Sequence, residues 1–511
     1  MFMYRALLAV GLVAPGAQAS SKLFSGATII SYNDSTESIN VIRDGSLLVV
    51  DDRIAALSAE PLTAPPGTEM IDVSGQIITP GFVDTHRHGW STAWKTVMSN
   101  STLLEFFIRY RDAAPLLGFT PDDVYLSQLA GLYESINAGV TTLLDHAHHN
   151  WSPASAWAGL NGSVDSGARV FWAYSFQNST ATNYTVSQQF STFEAMAQRH
   201  PRDASAAAAG GSTVQLGIAY DSWGPNPNRA EAQRVADTAL RHNVSVLTTH
   251  SVGGQFGADN TPEQVDAFGI LNGSMPVVFS HATYLSEENT DLLRSTNQYI
   301  AITPESEASY GFGHPRSYDH MDQAALGVDV HSVCSGDLLT QARLWLQNAR
   351  LHFFDRVLER GDVPSANPMS VNQAFYMATR AGALALRRPD LGAVQAGAKA
   401  DLIVWDAEAS PSLAGWNDPV AAVMLHAGVG DVLHVLVDGR FVKRDGRLTA
   451  EEYPEVRKRF AASARKIQDR LRDTPLPVLE GEVSPGVDFA VPEYADVLPG
   501  GGNGYGEQHW W

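Results

Sequence analysis

The chain has 511 residues, 44% of them hydrophobic, enough for a large core in about two to four domains or in one barrel with an accessory domain. Its 55 acidic residues outnumber 35 basic ones, and the net charge of −20 argues against nucleic acid or an anionic membrane as partner. Cys334 is the only cysteine, which excludes an intrachain disulfide.

In chain order, residues 1–19 read as a secretory signal peptide. Arg5 precedes a short apolar run, and Ala17-Gln18-Ala19 is a small-residue cleavage pattern. Asn-x-Ser/Thr sequons at Asn33, Asn100, Asn161, Asn178, Asn183, Asn243 and Asn272 agree with export as a glycoprotein. An eighth, at Asn150, is expected to be empty because it lies beside the histidines considered below.

Residues 20–76 and 392–450 carry strand and turn patterns on either side of a longer central segment, and are predicted to pair into one composite β-sandwich. Within residues 77–391, β-rich apolar runs alternate with helix-like segments. The runs are residues 77–84, 140–145, 169–174, 214–220, 244–249, 276–280, 299–303 and 324–328. Eight strands with crossover segments predict an α/β fold, a closed (β/α)₈ TIM barrel, over an open doubly wound sheet, since no Gly-rich phosphate turn follows any strand. Residues 451–511 are predicted to form one amphipathic helix (residues 451–473) and a flexible Pro- and Gly-rich tail.

The strand over residues 77–84 leads into His86-Arg87-His88. Alternate residues of an extended chain share a face, so both imidazoles can reach one point beyond the strand end. Of sixteen histidines, eight follow a predicted strand closely: His86, His88, His146, His148, His149, His250, His281 and His331. Barrel enzymes work at the C-terminal ends of their strands. His86, His88, His250 and Asp329, the last ending the eighth strand, are therefore predicted to hold one divalent metal. Zn²⁺ suits the set best, with Fe²⁺ or Mn²⁺ as alternatives. Such an ion acidifies bound water; Asp329 can accept its proton, and His281 can orient the water or polarise the electrophile.

The runs PGFVDTHRH, TTLLDH, TTHSVG, SHATYLSEE, ITPESE and LGVDV, in this order, resemble the metal-dependent amidohydrolase superfamily. The nearer likeness is to its branch of cytosine- and adenosine-type deaminases and triazine chlorohydrolases. The likeness spans roughly residues 22–446. It implies hydrolysis by metal-activated water, metal ligands at His86, His88, His250 and Asp329, and an assisting histidine at His281. It also supports His146 as a substrate-binding residue. Deaminases of this branch carry a proton-shuttling glutamate three residues after the histidine of the fifth strand, but this chain has Gly253 there. Glu305 and Glu307, after the seventh strand, are the candidate catalytic replacements. The fourth strand ends without the lysine that bridges two metals in binuclear members, which favours one ion.

Trp90, Trp223 and Tyr310 are predicted to face the substrate as aromatic walls of the rim. The leading function is a secreted metal-dependent hydrolase opening a C–N bond of a small cyclic compound (amide, lactam or aminated ring), with lactone or ester opening close behind. A metal-dependent lyase on the same scaffold, a decarboxylase or dehydratase, is the alternative, and a non-catalytic secreted binding protein is a third reading. The expected partner is the small-molecule substrate, with neither nucleic acid nor membrane, and a homodimer is the assembly considered.

Overall fold

A computed structural model describes residues 20–110, 113–116, 118–178, 181–200, 213–257, 259–473 and 478–492. The predicted signal peptide and the last nineteen residues of the predicted tail lie outside this set. Among the described residues no helix is long and apolar enough to cross a membrane.

The apolar run at residues 77–84 serves two sheets. Its first half, β5 (Ile77–Pro80), joins a nine-stranded sheet with β1 (Ser21–Asn33), β2 (Ser38–Val50), β3 (Arg53–Ser58) and β4 (Glu69–Asp72). The same sheet contains β14 (Leu402–Trp405), β15 (Val432–Val437), β16 (Arg440–Arg444) and β17 (Arg447–Leu448) from the other end of the chain. β5 is the junction, parallel to β1 on one side and antiparallel to β14 on the other. Phe24 of β1 and Phe441 of β16 stand four strands apart, roughly 19 Å in a flat sheet. Their ring centroids are 6.3 Å apart, so the sheet rolls around a shared core with Ile29, Leu47, Ile78, Leu402 and Val404. The expected composite unit from both ends of the chain is thus built as one continuous sheet curled around its core.

The second half of the run is β6 (Phe82–Arg87), the first of eight parallel strands. It is followed by β7 (Val140–Ala147), β8 (Arg169–Phe176), β9 (Gln215–Tyr220), β10 (Leu247–Ser251), β11 (Val277–His281), β12 (Tyr299–Ile302) and β13 (Ala324–Leu326), each paired with its predecessor. These strands are buried on both faces, which is why they read as unbroken apolar runs. Val83, Leu144, Ala173, Ala219, Val246, Val278 and Ala301 fill the interior.

Closure occurs just past β13. The amides of Val328 and Asp329 both donate to the His86 carbonyl (3.1 and 2.8 Å), and the His88 amide donates to the Asp329 carbonyl (2.8 Å). Gly327 makes the approach possible, because a Cβ there would stand 2.9 Å from backbone atoms of His86. The helix Tyr453–Arg472 packs on the outside. Ile467 and Leu471 join Trp90, Trp94 and Val97 in one cluster, and Lys466 and Ser463 bond Asp123 of the helix Pro121–Asn137.

Candidate metal centre

The alternation of β6 separates two functions. Arg87 points away from its neighbours and is buried on Asp84 (2.5 Å), His331 Nε2 (2.8 Å) and the Gly336 carbonyl (3.0 Å). His331 thereby belongs to a buried structural network, with Thr92 on its other nitrogen.

His86 and His88 turn inward together. Nε2 of His86 lies 3.4 Å, and Nε2 of His88 3.3 Å, from Asp329 Oδ1. Nε2 of His88 also lies 3.2 Å from Nε2 of His250. The outer nitrogens are held: His88 Nδ1 donates to the His146 carbonyl (2.8 Å), and His250 Nδ1 bonds Asp221 (2.9 Å). A carbonyl can only accept and a carboxylate accepts, so both Nδ1 atoms carry a proton, and in the neutral imidazoles both Nε2 atoms present lone pairs to each other. Nε2 of His86 is buried with no hydrogen-bond partner among the described residues. Facing lone pairs beside a carboxylate repel unless a cation lies between them. Tetrahedral ligands at the usual zinc–nitrogen distance stand about 3.3 Å apart. His86, His88 and Asp329 therefore fit a divalent ion, with His250 Nε2 beside His88 and grouped with His86 and His281.

Burial pushes the His86 and His88 imidazoles below their ordinary range, which keeps them neutral. Burial opposes the Asp329 charge, but the neighbouring His86 and His88 imidazoles outweigh it, and the carboxyl lies well below the usual range. His250 is pushed down by burial and held above its ordinary value by Asp221. Two residues here adopt left-handed backbone, His281 (φ 70°) and Asp329 (φ 71°). Such strain costs on the order of 1–3 kcal/mol per residue and persists where surrounding structure enforces it.

His281 closes the arrangement from β11. A ligand atom of His281 lies within 4.8 Å of those of His86 and His250. Its Nδ1 is held by Thr303 Oγ1 (3.0 Å) and Glu307 Oε1 (3.2 Å), leaving Nε2 for the site. His314 Nδ1 stands 2.6 Å from the second oxygen of Glu307, close but outside hydrogen-bond alignment.

The two glutamates proposed as proton shuttles have other engagements. Glu307 is fully buried behind His281, with the Thr303 amide also donating to it (2.9 Å). Glu305 accepts from the Ser335 amide (3.0 Å), the Ser335 hydroxyl (3.1 Å) and Gln341 (2.8 Å), a tie between the loop after β13 and the helix Leu338–Leu358. The aromatic residues expected at the rim are packed instead. Trp90 lies against Trp94, Phe119 and Trp151, Trp223 against Tyr220 and Phe268, and Tyr310 against Phe106. Trp90 still bears on the site, donating to His148 Nδ1 (3.1 Å), whose ring is 4.1 Å from that of His88. His146 is buried, its ring 4.2 Å from His250 and its Nε2 3.4 Å from Asp221. His149 is buried among Trp151 and Trp172.

Sequence reasoning missed Asp221, and it counted His148 among the strand-end histidines but read it as a loop residue. Asp221 was legible as the acidic residue directly after β9. His148 had no sequence signal beyond its position after β7.

A one-centre histidine and aspartate constellation at the C-terminal mouth of a (β/α)₈ barrel defines a metal-dependent hydrolase. The amidohydrolase family pattern matches residues 77–442, and the chain belongs to that family. It acts on C–N bonds other than peptide bonds. A 5-methylthioadenosine/S-adenosylhomocysteine deaminase of Symbiobacterium thermophilum is 25% identical over 462 residues, covering 87% of this chain and 98% of the relative. A 5'-deoxyadenosine deaminase of Methanosarcina mazei is 23% identical, with 84% and 95% covered. In fold the chain is similar to an atrazine chlorohydrolase variant of Arthrobacter aurescens complexed with zinc and atraton. Their TM-score is 0.74 at 20% identity, with 87% of this chain and 100% of that one covered. The lyase alternative finds no support among these relatives.

Proposed function

We propose that the chain is a secreted, one-metal zinc hydrolase that replaces an exocyclic amino group of a small nitrogen heterocycle with water. The observation that carries the reading is the pair of Nε2 lone pairs on His88 and His250, turned on each other at 3.2 Å beside Asp329. His86, His88, His250 and Asp329 would hold the ion. A divalent ion there supplies water acidic enough to attack as hydroxide near neutral pH. Asp329, kept ionised by its histidine neighbours, accepts a proton at its carboxylate as attack proceeds. His281, oriented through Nδ1 by Thr303 and Glu307, presents Nε2 to the attacking water or to the substituent on the electrophilic carbon. His146 and His148 flank His88 and bound the space for the ring. The substrate class draws on the relatives, whose names are those of adenosine-type deaminases and of a chlorohydrolase acting on a triazine.

Secretion rests on the N-terminal pattern and on seven exposed sequon asparagines, at Asn33, Asn100, Asn161, Asn178, Asn183, Asn243 and Asn272. Asn150 is buried, its amide donating to the Ser175 carbonyl (3.2 Å), so no glycan fits there. Metal analysis of purified protein should find about one equivalent of zinc. Incubation in ¹⁸O-labelled water should release ammonia and a labelled product from aminated heterocycles, with lactams, aryl amides and lactones as the comparison set. Protein without bound metal, or product without label, would refute the hydrolase. A mobility shift on glycosidase treatment of protein secreted by eukaryotic cells tests the export reading.

A further inference from the structure

The carboxylate that holds His281 is served unequally at its two oxygens. Three donors converge on Oε1 of Glu307: the Thr303 amide (2.9 Å), the Thr303 hydroxyl (3.3 Å) and His281 Nδ1 (3.2 Å). Oε2 is buried and has no aligned hydrogen bond among the described residues; its close polar neighbour is His314 Nδ1, at 2.6 Å. A carboxylate held at one oxygen can turn about its last bond, and a contact on the other oxygen stops that rotation.

The chain brings His314 there by folding back on Glu307. Beyond the helix Pro304–Tyr310 it turns through Gly311 (φ +86°) and Gly313 (φ +58°), and the amides of Phe312 (3.2 Å) and Gly313 (3.1 Å) both donate to the Glu307 carbonyl. The His314 ring meets Trp345 edge-on (centroids 5.0 Å, 81°), and Trp345 is itself stacked on Tyr318 (4.9 Å, 9°). Asn348 Nδ2 lies 3.5 Å from His314 Nε2. An amide nitrogen only donates, so Nε2 accepts and the ring proton sits on Nδ1, toward Glu307. A bare lone pair on Nδ1 would repel a carboxylate oxygen at 2.6 Å, whereas an N–H attracts it even off the ideal hydrogen-bond line.

We propose that His314 is a positioning residue for the reaction: it holds the outer oxygen of Glu307, and Glu307 so held keeps His281 turned into the metal centre. The role of His281 rests on the hydrolase reading above. His314 acts through Glu307 and touches neither substrate nor metal ligands.

The test follows the His281 Nδ1 proton by ¹H NMR of full-length, zinc-loaded protein labelled with ¹⁵N-histidine, the signal being assigned by its loss in H281N. An imidazole proton bonded to a buried carboxylate resonates far downfield. H314F and H314A, with wild-type zinc content, should shift or broaden that signal. Both should lower kcat about tenfold at unchanged KM, on the aminated heterocycle that wild-type protein turns over fastest. H314N places an amide nitrogen near the position of Nδ1, and should restore the signal and most of kcat. A wild-type signal and kcat in both H314F and H314A would overturn the assignment and leave the hydrolase reading standing, as would H314N no better than H314A. Wild-type protein that shows the signal but neither binds zinc nor turns over any aminated heterocycle would overturn the hydrolase reading, and with it the part of His314 in turnover.

Discussion

His86, His88 and Asp329 stand on the seam that closes the barrel, whereas His250 and Asp221 stand on its open side. On the seam the side chains are all but inaccessible, and backbone hydrogen bonds between residues 86–88 and 328–329 lock their positions. On the open side 22% of the His250 side chain and 39% of that of Asp221 remain exposed. The buried half keeps its histidines neutral by desolvation. The open half orients its histidine with a charge. The candidate metal centre thus joins a rigid half, set by packing, to a partly exposed half set by electrostatics.

The largest test strikes the rigid half. Asn tolerates the left-handed backbone at position 329, so D329N should fold. It should lose metal and lower turnover by about 10²–10⁴-fold, as read by metal analysis and steady-state kinetics. E307Q should reduce turnover about 10- to 100-fold with metal retained, because at the site it disturbs the orientation of His281. D221N, on the open half, should weaken zinc affinity about 10- to 100-fold in competition titrations.

The pH dependence of metal binding sharpens the contrast. As pH falls, His86 and His88 stay neutral because burial holds them down, while His250, held up by Asp221, takes up a proton first. Metal must displace that single proton, so affinity should fall about tenfold per pH unit below the His250 value. A drop of about a thousandfold per unit would mean that all three histidines titrate together and that the two halves do not differ. E305Q should show the smallest effect, with turnover unchanged and stability reduced by about 1–3 kcal/mol in chemical denaturation, since its carboxylate ties only Ser335 and Gln341.

The barrel was legible because parallel strands buried on both faces must be apolar throughout, and the ligands because they follow those strands directly. The division at Pro80-Gly81 was hidden, since β5 and β6 are both fully buried and form one apolar run. Glu305 and Glu307 looked equivalent as loop residues. In the structure they lie on the short helix Pro304–Tyr310, where positions two apart diverge by about 200°. One meets Gln341 and the other His281. The aromatic residues misled because bulk and flatness serve packing as well as substrate. Asp221 acts through His250 and His146, distant in sequence, and only its place directly after β9 marked it.

The pairing of β5 with both β1 and β14 bears on how the chain is made. β1 through β5 leave the ribosome early, and β14 through β17 are among the last elements synthesised. Until residues 402–405 emerge, Ile77–Pro80 has a hydrogen-bonding edge with no partner, directly beside the strand that carries His86. A nascent chain stalled before that point would present this apolar edge to its surroundings. Completion of the N-terminal sheet is thus a late event in biosynthesis, and a C-terminal truncation before β14 would damage the opposite end of the sequence first.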